Sequence, residues 1–129
     1  MDRHEWGTMS ERQRVATGTI WEEQVGFSRA VRAGNLVFVS GTTATDEQGE
    51  IVGRDDPEAQ TRYIIEKIGR ALAAVGASLE DVVRTRIYLE RADDWEAVGR
   101  AHAHYFTLLD HTQELDLERQ RQIPDLIEK

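Results

Sequence analysis

Cysteine is absent from this 129-residue chain, which removes disulfides, thiol nucleophiles and thiolate metal sites together. No apolar run is long enough for a signal peptide or a membrane span, so a cytoplasmic location is expected and membranes are not expected partners. Net positive charge is missing too. The formal charge is −8, and without a cationic surface neither nucleic acid nor an anionic membrane is held unaided. Proline occurs twice, and there is no internal repeat or low-complexity tract. Gly49 and Gly53 lack the lysine and the strand-to-helix setting of a phosphate loop. Metal chelation finds little support: His102 and His104 fall on different faces of a helix, and His104 would share a face with His111 only if that helix ran on through Leu109. No metal site is expected.

What the chain has is the composition of one soluble domain, 40% hydrophobic and 31% charged. At this length a deep enclosed pocket is hard to build, so a ligand site gains from a subunit interface. The organising stretch is Gly34 to Gly41, GNLVFVSG. Leu36 to Val39 is a continuous apolar run closed by glycines, which reads as a strand buried on both faces. Gly34 and Asn35 supply the turn into it. Gly41 has no β-carbon, so another backbone or a ligand can approach the carbonyl edge of Ser40 and Gly41; relief of crowding at a bulge is the alternative reason for the glycine.

Before this run, Met1 to Arg14 reads as a loose arm, and the folded domain is expected to begin at residue 15. Val15 to Ile20 suits a short edge strand. The acid pair Glu22-Glu23 has the usual character of solvated carboxylates. Ser28 to Arg32 alternates as a half-exposed strand does, with Ala30 against Arg29, and should form a hairpin with the central run. After it, Thr42 to Val52 is a polar connection turning at Asp46 to Gly49. Asp55-Asp56-Pro57-Glu58 opens a helix: aspartate caps, proline fits the first turn, and acids suit the positive end. Ile64, Ile65, Ile68, Leu72 and Val75 form its apolar stripe, and Gly76 stops it. Val82 to Leu89 reads as a strand with Val83, Ile87 and Leu89 on one face and Arg84, Arg86 and Tyr88 on the other. Two arginines on one face suit a solvated rim or a subunit interface. Asp93 or Asp94 then caps a second helix carrying Trp95, Val98, His102, Tyr105 and Phe106 at spacings of three or four. The expected fold is α/β (α+β), two-layered, with a mixed sheet and two helices on one side.

GFSRAVRAGNLVFVSG and AQTRYIIEKIGRALAAVGASLEDVVRTRIYL, followed by the DW that opens the second helix, resemble the RidA/YjgF (reactive intermediate deaminase A) family from about Val25 to Phe106. The resemblance implies a chorismate-mutase-like homotrimer, in which three sheets form a central barrel and ligands sit in clefts between subunits. It implies hydrolysis of enamines and imines derived from amino acids to 2-keto acids and ammonia, with a small carboxylate or imino acid as ligand and no cofactor. Phe27 stands where many members carry a tyrosine, and Gly99 where some carry an asparagine. Ser40 and Gly41 are retained and offer mainly backbone groups to a ligand. A trimeric small-molecule-binding or regulatory protein without catalysis is the alternative.

In the family a proline-rich turn bearing an arginine follows the second helix, then two apolar strands ending in a glutamate. The arginine is expected to hold the substrate carboxylate through two parallel contacts, and the glutamate to orient water or move its proton. Thr107 to Lys129, TLLDHTQELDLERQRQIPDLIEK, contains no Pro-Ala-Arg or Arg-Pro-Ala motif. From Asp110 onward it has six acids and three bases, too polar for two buried strands, and Thr112 to Gln122 equally suits an exposed helix. Asp125-Leu126-Ile127-Glu128 resembles the family's terminal strand, which puts Glu128 at the acidic position. A tight hairpin at Ile123-Pro124 would set Arg119 opposite Glu128, making Arg119 the candidate substitute for the missing arginine.

Overall fold

The structure is a computed structural model that describes residues 12–106. The expectations for Arg119, Glu128 and a terminal strand lie outside the described residues. Strands β1 (Arg12–Val15), β2 (Ala30–Ala33) and β3 (Leu36–Val39) make an antiparallel sheet in the order β1-β2-β3. The expected hairpin is present: Ala33 pairs with Leu36 and Ala30 with Val39, across a turn in which Gly34 has φ 63°. Residues 12–14, expected in the loose arm, instead pair with β2 from Arg12↔Ala33 onward. Backbone pairing places this strand, because its polar side chains are mostly exposed.

The edge strand expected over Val15 to Ile20 stops at Val15. A loop then leads into α1 (Ile20–Val25), which ends at Gly26 in the left-handed region with its N–H on the Glu22 carbonyl. The central run is also corrected. β3 is not buried on both faces: Leu36 is 58% and Phe38 61% exposed, while Val37 and Val39 are half-buried. The pleat turns alternate residues to opposite sides, and no described element covers the side holding Leu36 and Phe38.

α2 (Pro57–Ala74) begins as the sequence indicates, with the Asp56 Oδ1 accepting from Ala59 N at 3.0 Å and proline in the first turn. Gly76, at φ 76°, ends it. Ile65, Leu72 and Val75 are buried in the core with Ala30 and Ala71, whereas Ile64 and Ile68 are half-buried. Arg32 of β2 donates to the Val75 carbonyl and fastens the sheet to the end of α2. α3 (Trp95–Phe106) follows a 3₁₀ turn over Ala92–Asp94 and packs on α2, burying Val98 and Ala101. Tyr105 OH donates to Glu66 Oε1 at 2.8 Å across that contact. Trp95, placed by spacing on the apolar stripe, is instead 64% exposed.

Val82 to Leu89 joins no ladder among the described residues, and Val83, Ile87, Tyr88 and Leu89 are all exposed. A strand needs a hydrogen-bonded neighbour, and β1, β2 and β3 do not supply one here. The described sheet is therefore wholly antiparallel. Among the described residues no helix is long and apolar enough to cross a membrane.

Gly99 is an exposed interior residue of α3, and a β-carbon added to it would meet no atom of the described residues within 4 Å. Gly99→Ala should raise stability by about 0.8–1 kcal/mol, the helix-propensity difference, as read from the midpoint of a urea melt.

Candidate functional site

The site is built around a buried arginine. Arg29 lies one residue before β2, so the alternation that pointed it outward does not reach it, and its side chain is 4% exposed. One guanidinium nitrogen, Nη1, donates to the Gly41 carbonyl at 2.7 Å and to Thr42 Oγ1 at 3.0 Å; the other, Nη2, lies 3.4 Å from Glu22 Oε1. The Phe27 ring centroid is 5.2 Å from Cζ, within cation–π range.

Glu22 is buried as well, contrary to the solvated role expected of it. Its carboxylate accepts from Thr17 Oγ1 at 2.6 Å, from Thr17 N at 2.9 Å and from Gly18 N at 3.2 Å. Burial pushes the Glu22 pKa up, but the Thr17 hydroxyl, the Thr17 and Gly18 amides and the Arg29 charge outweigh it, and the net shift is downward. The sequence did carry a trace of this: Thr17 and Gly18 offer donors within five residues of an acid in a first helical turn. For Arg29 no such trace exists.

This network fixes the chain where it leaves β3. Ser40 Oγ donates to the Ser28 carbonyl at 2.6 Å, Ser40 N to the Arg29 carbonyl at 3.0 Å, and Thr42 Oγ1 to the Ser40 carbonyl at 2.8 Å. The carbonyl edge expected to be open is thus engaged: the oxygens of Ser40 and Gly41 both already accept bonds. The Gly41 N–H has no partner among the described residues, and Gly41 is exposed. Among the described residues nothing lies within 4 Å of a β-carbon built there, and its φ is outside the left-handed region. Neither crowding at a bulge nor backbone conformation calls for glycine at 41. Open space beside a free N–H is suited to a small anionic or carbonyl-bearing ligand.

Phe27, Ser40 and Gly41 are therefore brought together around Arg29. The histidines lie elsewhere: His102 Nε2 is 3.0 Å from Thr85 Oγ1 with its ring against Phe106, and His104 meets Tyr105 edge-on.

The family described as Endoribonuclease L-PSP matches residues 20–115. That match extends beyond Val25 to Phe106 on both sides and takes in the start of the divergent tail. An uncharacterized protein of Streptomyces coelicolor is 44% identical over 95 residues, covering 73% of this chain and 69% of its own. The 3-aminoacrylate deaminase RutC of Acinetobacter baylyi is 39% identical over 77 residues, 60% of this chain and 61% of that one. Among solved structures, Rv2704 of Mycobacterium tuberculosis, a member of the YjgF/YER057c/UK114 family, superposes with a TM-score of 0.67 at 45% identity, covering 76% of each chain. Agreement of sequence and of fold, each over about three quarters of the chain, places this protein in the RidA/YjgF family.

Proposed function

We propose that this protein deaminates reactive enamines and imines of amino acids, releasing a 2-keto acid and ammonia. The observation that carries the reading is the 39% identity to a 3-aminoacrylate deaminase, and the free N–H beside open space at Gly41 supports it. Water adds to the imine carbon, the C–N bond of the resulting carbinolamine breaks, and ammonia leaves with the proton it needs. No cofactor enters, because a protonated imine is already an electrophile. The Gly41 N–H donates to the substrate, and the Phe27 ring packs beside it. Arg119 holds the substrate carboxylate and Glu128 moves the proton, both roles resting on the family resemblance. The cleft lies between subunits of a homotrimer.

The test generates 2-iminopropanoate in situ and follows its loss over the buffer rate with purified protein. Acceleration at catalytic protein levels is expected. Gly41→Val should lower that rate about tenfold or more, since a branched side chain fills the space beside the N–H donor, while the urea midpoint moves by less than the equivalent of about 1 kcal/mol, because no described atom is displaced. The absence of a Pro-Ala-Arg type motif after Phe106 favours a second reading, a small-molecule-binding protein of the same fold. No acceleration from a folded, oligomeric preparation would select it.

A further inference from the structure

A second concavity lies apart from Phe27, Ser40 and Gly41, none of which borders it. It has a volume of about 250 Å³ and is walled by Thr17 and Thr19 before α1, Thr45 after β3, and Tyr63, Lys67 and Arg70 on α2. The three α2 residues are spaced four and three apart, which sets them along one helix face.

Two of these groups are buried without a full set of partners. Lys67 is 4% exposed, and its Nζ donates to the Thr45 carbonyl at 2.9 Å. An ammonium has three donors, and among the described residues no other hydrogen bond engages it. Thr19 is equally buried, and its hydroxyl has no hydrogen-bond partner among the described residues. Buried donors left unpaired are costly, so two at the wall of one cleft mark a place prepared for an acceptor.

The charge balance agrees. Lys67 and Arg70 are opposed on the lining by Glu47 alone, and Glu22 beneath is matched by Arg29. The lining itself thus carries two cations to one anion, while the Asp46 carboxylate also acts on Lys67 from nearby. Burial, then the Arg29 charge, with Arg70 adding a smaller push, depresses the Lys67 pKa against the opposing Glu22 and Asp46 carboxylates, and a bound anion would offset the push of the two arginines. The volume is below that of drug-sized pockets, so the occupant is small.

We infer that this cleft is a second ligand site, for a small oxyanion of carboxylate or phosphate size, with Lys67 Nζ and Thr19 Oγ1 donating from its wall and Arg70 from its mouth. It is distinct from the proposed imine site and does not depend on turnover there.

The test is calorimetric titration of the full chain with inorganic phosphate and, separately, with acetate, at fixed ionic strength. Saturable binding of at least one is expected, and the one that saturates tells whether a tetrahedral or a planar anion is preferred. Thr19→Val and Arg70→Gln should each weaken it about tenfold, as loss of a hydrogen bond to a charged ligand does. Gly41→Val should leave it unchanged. Thr19→Val removes no bond present in the unliganded protein, so its melting temperature without anion should match that of the parent, and weakened binding then cannot be unfolding. No saturable binding of either anion, binding that survives both substitutions, or binding lost on Gly41→Val would each overturn the inference.

Discussion

Glu22→Ala is expected to remove about 3–5 kcal/mol of stability, the usual cost of stripping one partner from a buried ion pair. The carboxylate is 6% exposed and Arg29 is 4% exposed, so water cannot take over for the missing charge. Three donors from Thr17 and Gly18 lose their acceptor at the same time. Arg29 would keep its bonds to the Gly41 carbonyl and Thr42, but as a buried cation with no counter-ion among the described residues. Against a typical total of about 5–15 kcal/mol, the loss is large enough to leave part of the chain unfolded at ambient temperature. Urea melts of Glu22→Met, of Arg29→Met and of the two together separate two accounts. If the ion pair is the cause, the double variant is less damaged than the sum of the singles, because the uncompensated charge has gone. A single variant within about 1 kcal/mol of the parent would mean that the buried pair does not hold the loop before α1 or the end of β3.

The same pair predicts an acid limb. The folded pKa of Glu22 lies below its value in the unfolded chain, so between the two the unfolded state binds the proton more readily, and stability falls as pH is lowered through that window. The contribution is complete above the unfolded pKa, which is about 4.3 for glutamate, and is lost as pH drops through the folded value. Lys67 has the opposite chemistry and the same slope. Its folded pKa is also depressed, from 10.5, so raising pH between its folded and unfolded values discharges a buried cation in the native state first and favours folding.

The parts of the fold that were legible in the sequence are those fixed by local chemistry. Asp56 and Pro57 open α2 because a short carboxylate and a residue without an N–H both suit a helix start. Gly34 turns the hairpin and Gly76 ends α2, each with positive φ. Elements set by distant partners were not legible. β1 is a polar RQRV segment held by the backbone of β2, so side-chain periodicity carries no sign of it. Val82 to Leu89 has the alternation of a strand, yet alternation cannot provide the neighbouring backbone that makes one. At the candidate site, the glycine after Ser40 was legible as a point of close approach, whereas the groups that hold the chain there, Glu22 and Arg29, were hidden because charged residues are read as solvated until a partner is seen.

Phe38→Glu addresses an apolar face that the described residues leave uncovered. Leu36 and Phe38 face outward from β3, and Val83, Ile87 and Leu89 are exposed as well. An apolar strand face left open to water invites self-association, and further copies of the same chain are the covering that the proposed trimer supplies. Burying a phenylalanine removes about 150–250 Å² of largely apolar surface from water, and at about 25 cal/mol per Å² its loss alone is worth several kcal/mol. A carboxylate placed there adds its own desolvation cost. The parent should therefore sediment as a trimer, and Phe38→Glu should weaken assembly about a hundredfold or more, giving monomers at concentrations where the parent stays associated. If the imine site lies between subunits as proposed, deamination should fall with the trimer fraction on dilution. A monomeric parent that still accelerated imine loss would sink both the covering role of β3 and the intersubunit cleft. A Phe38→Glu trimer as stable as the parent's would sink the first and leave the second to another face of the sheet.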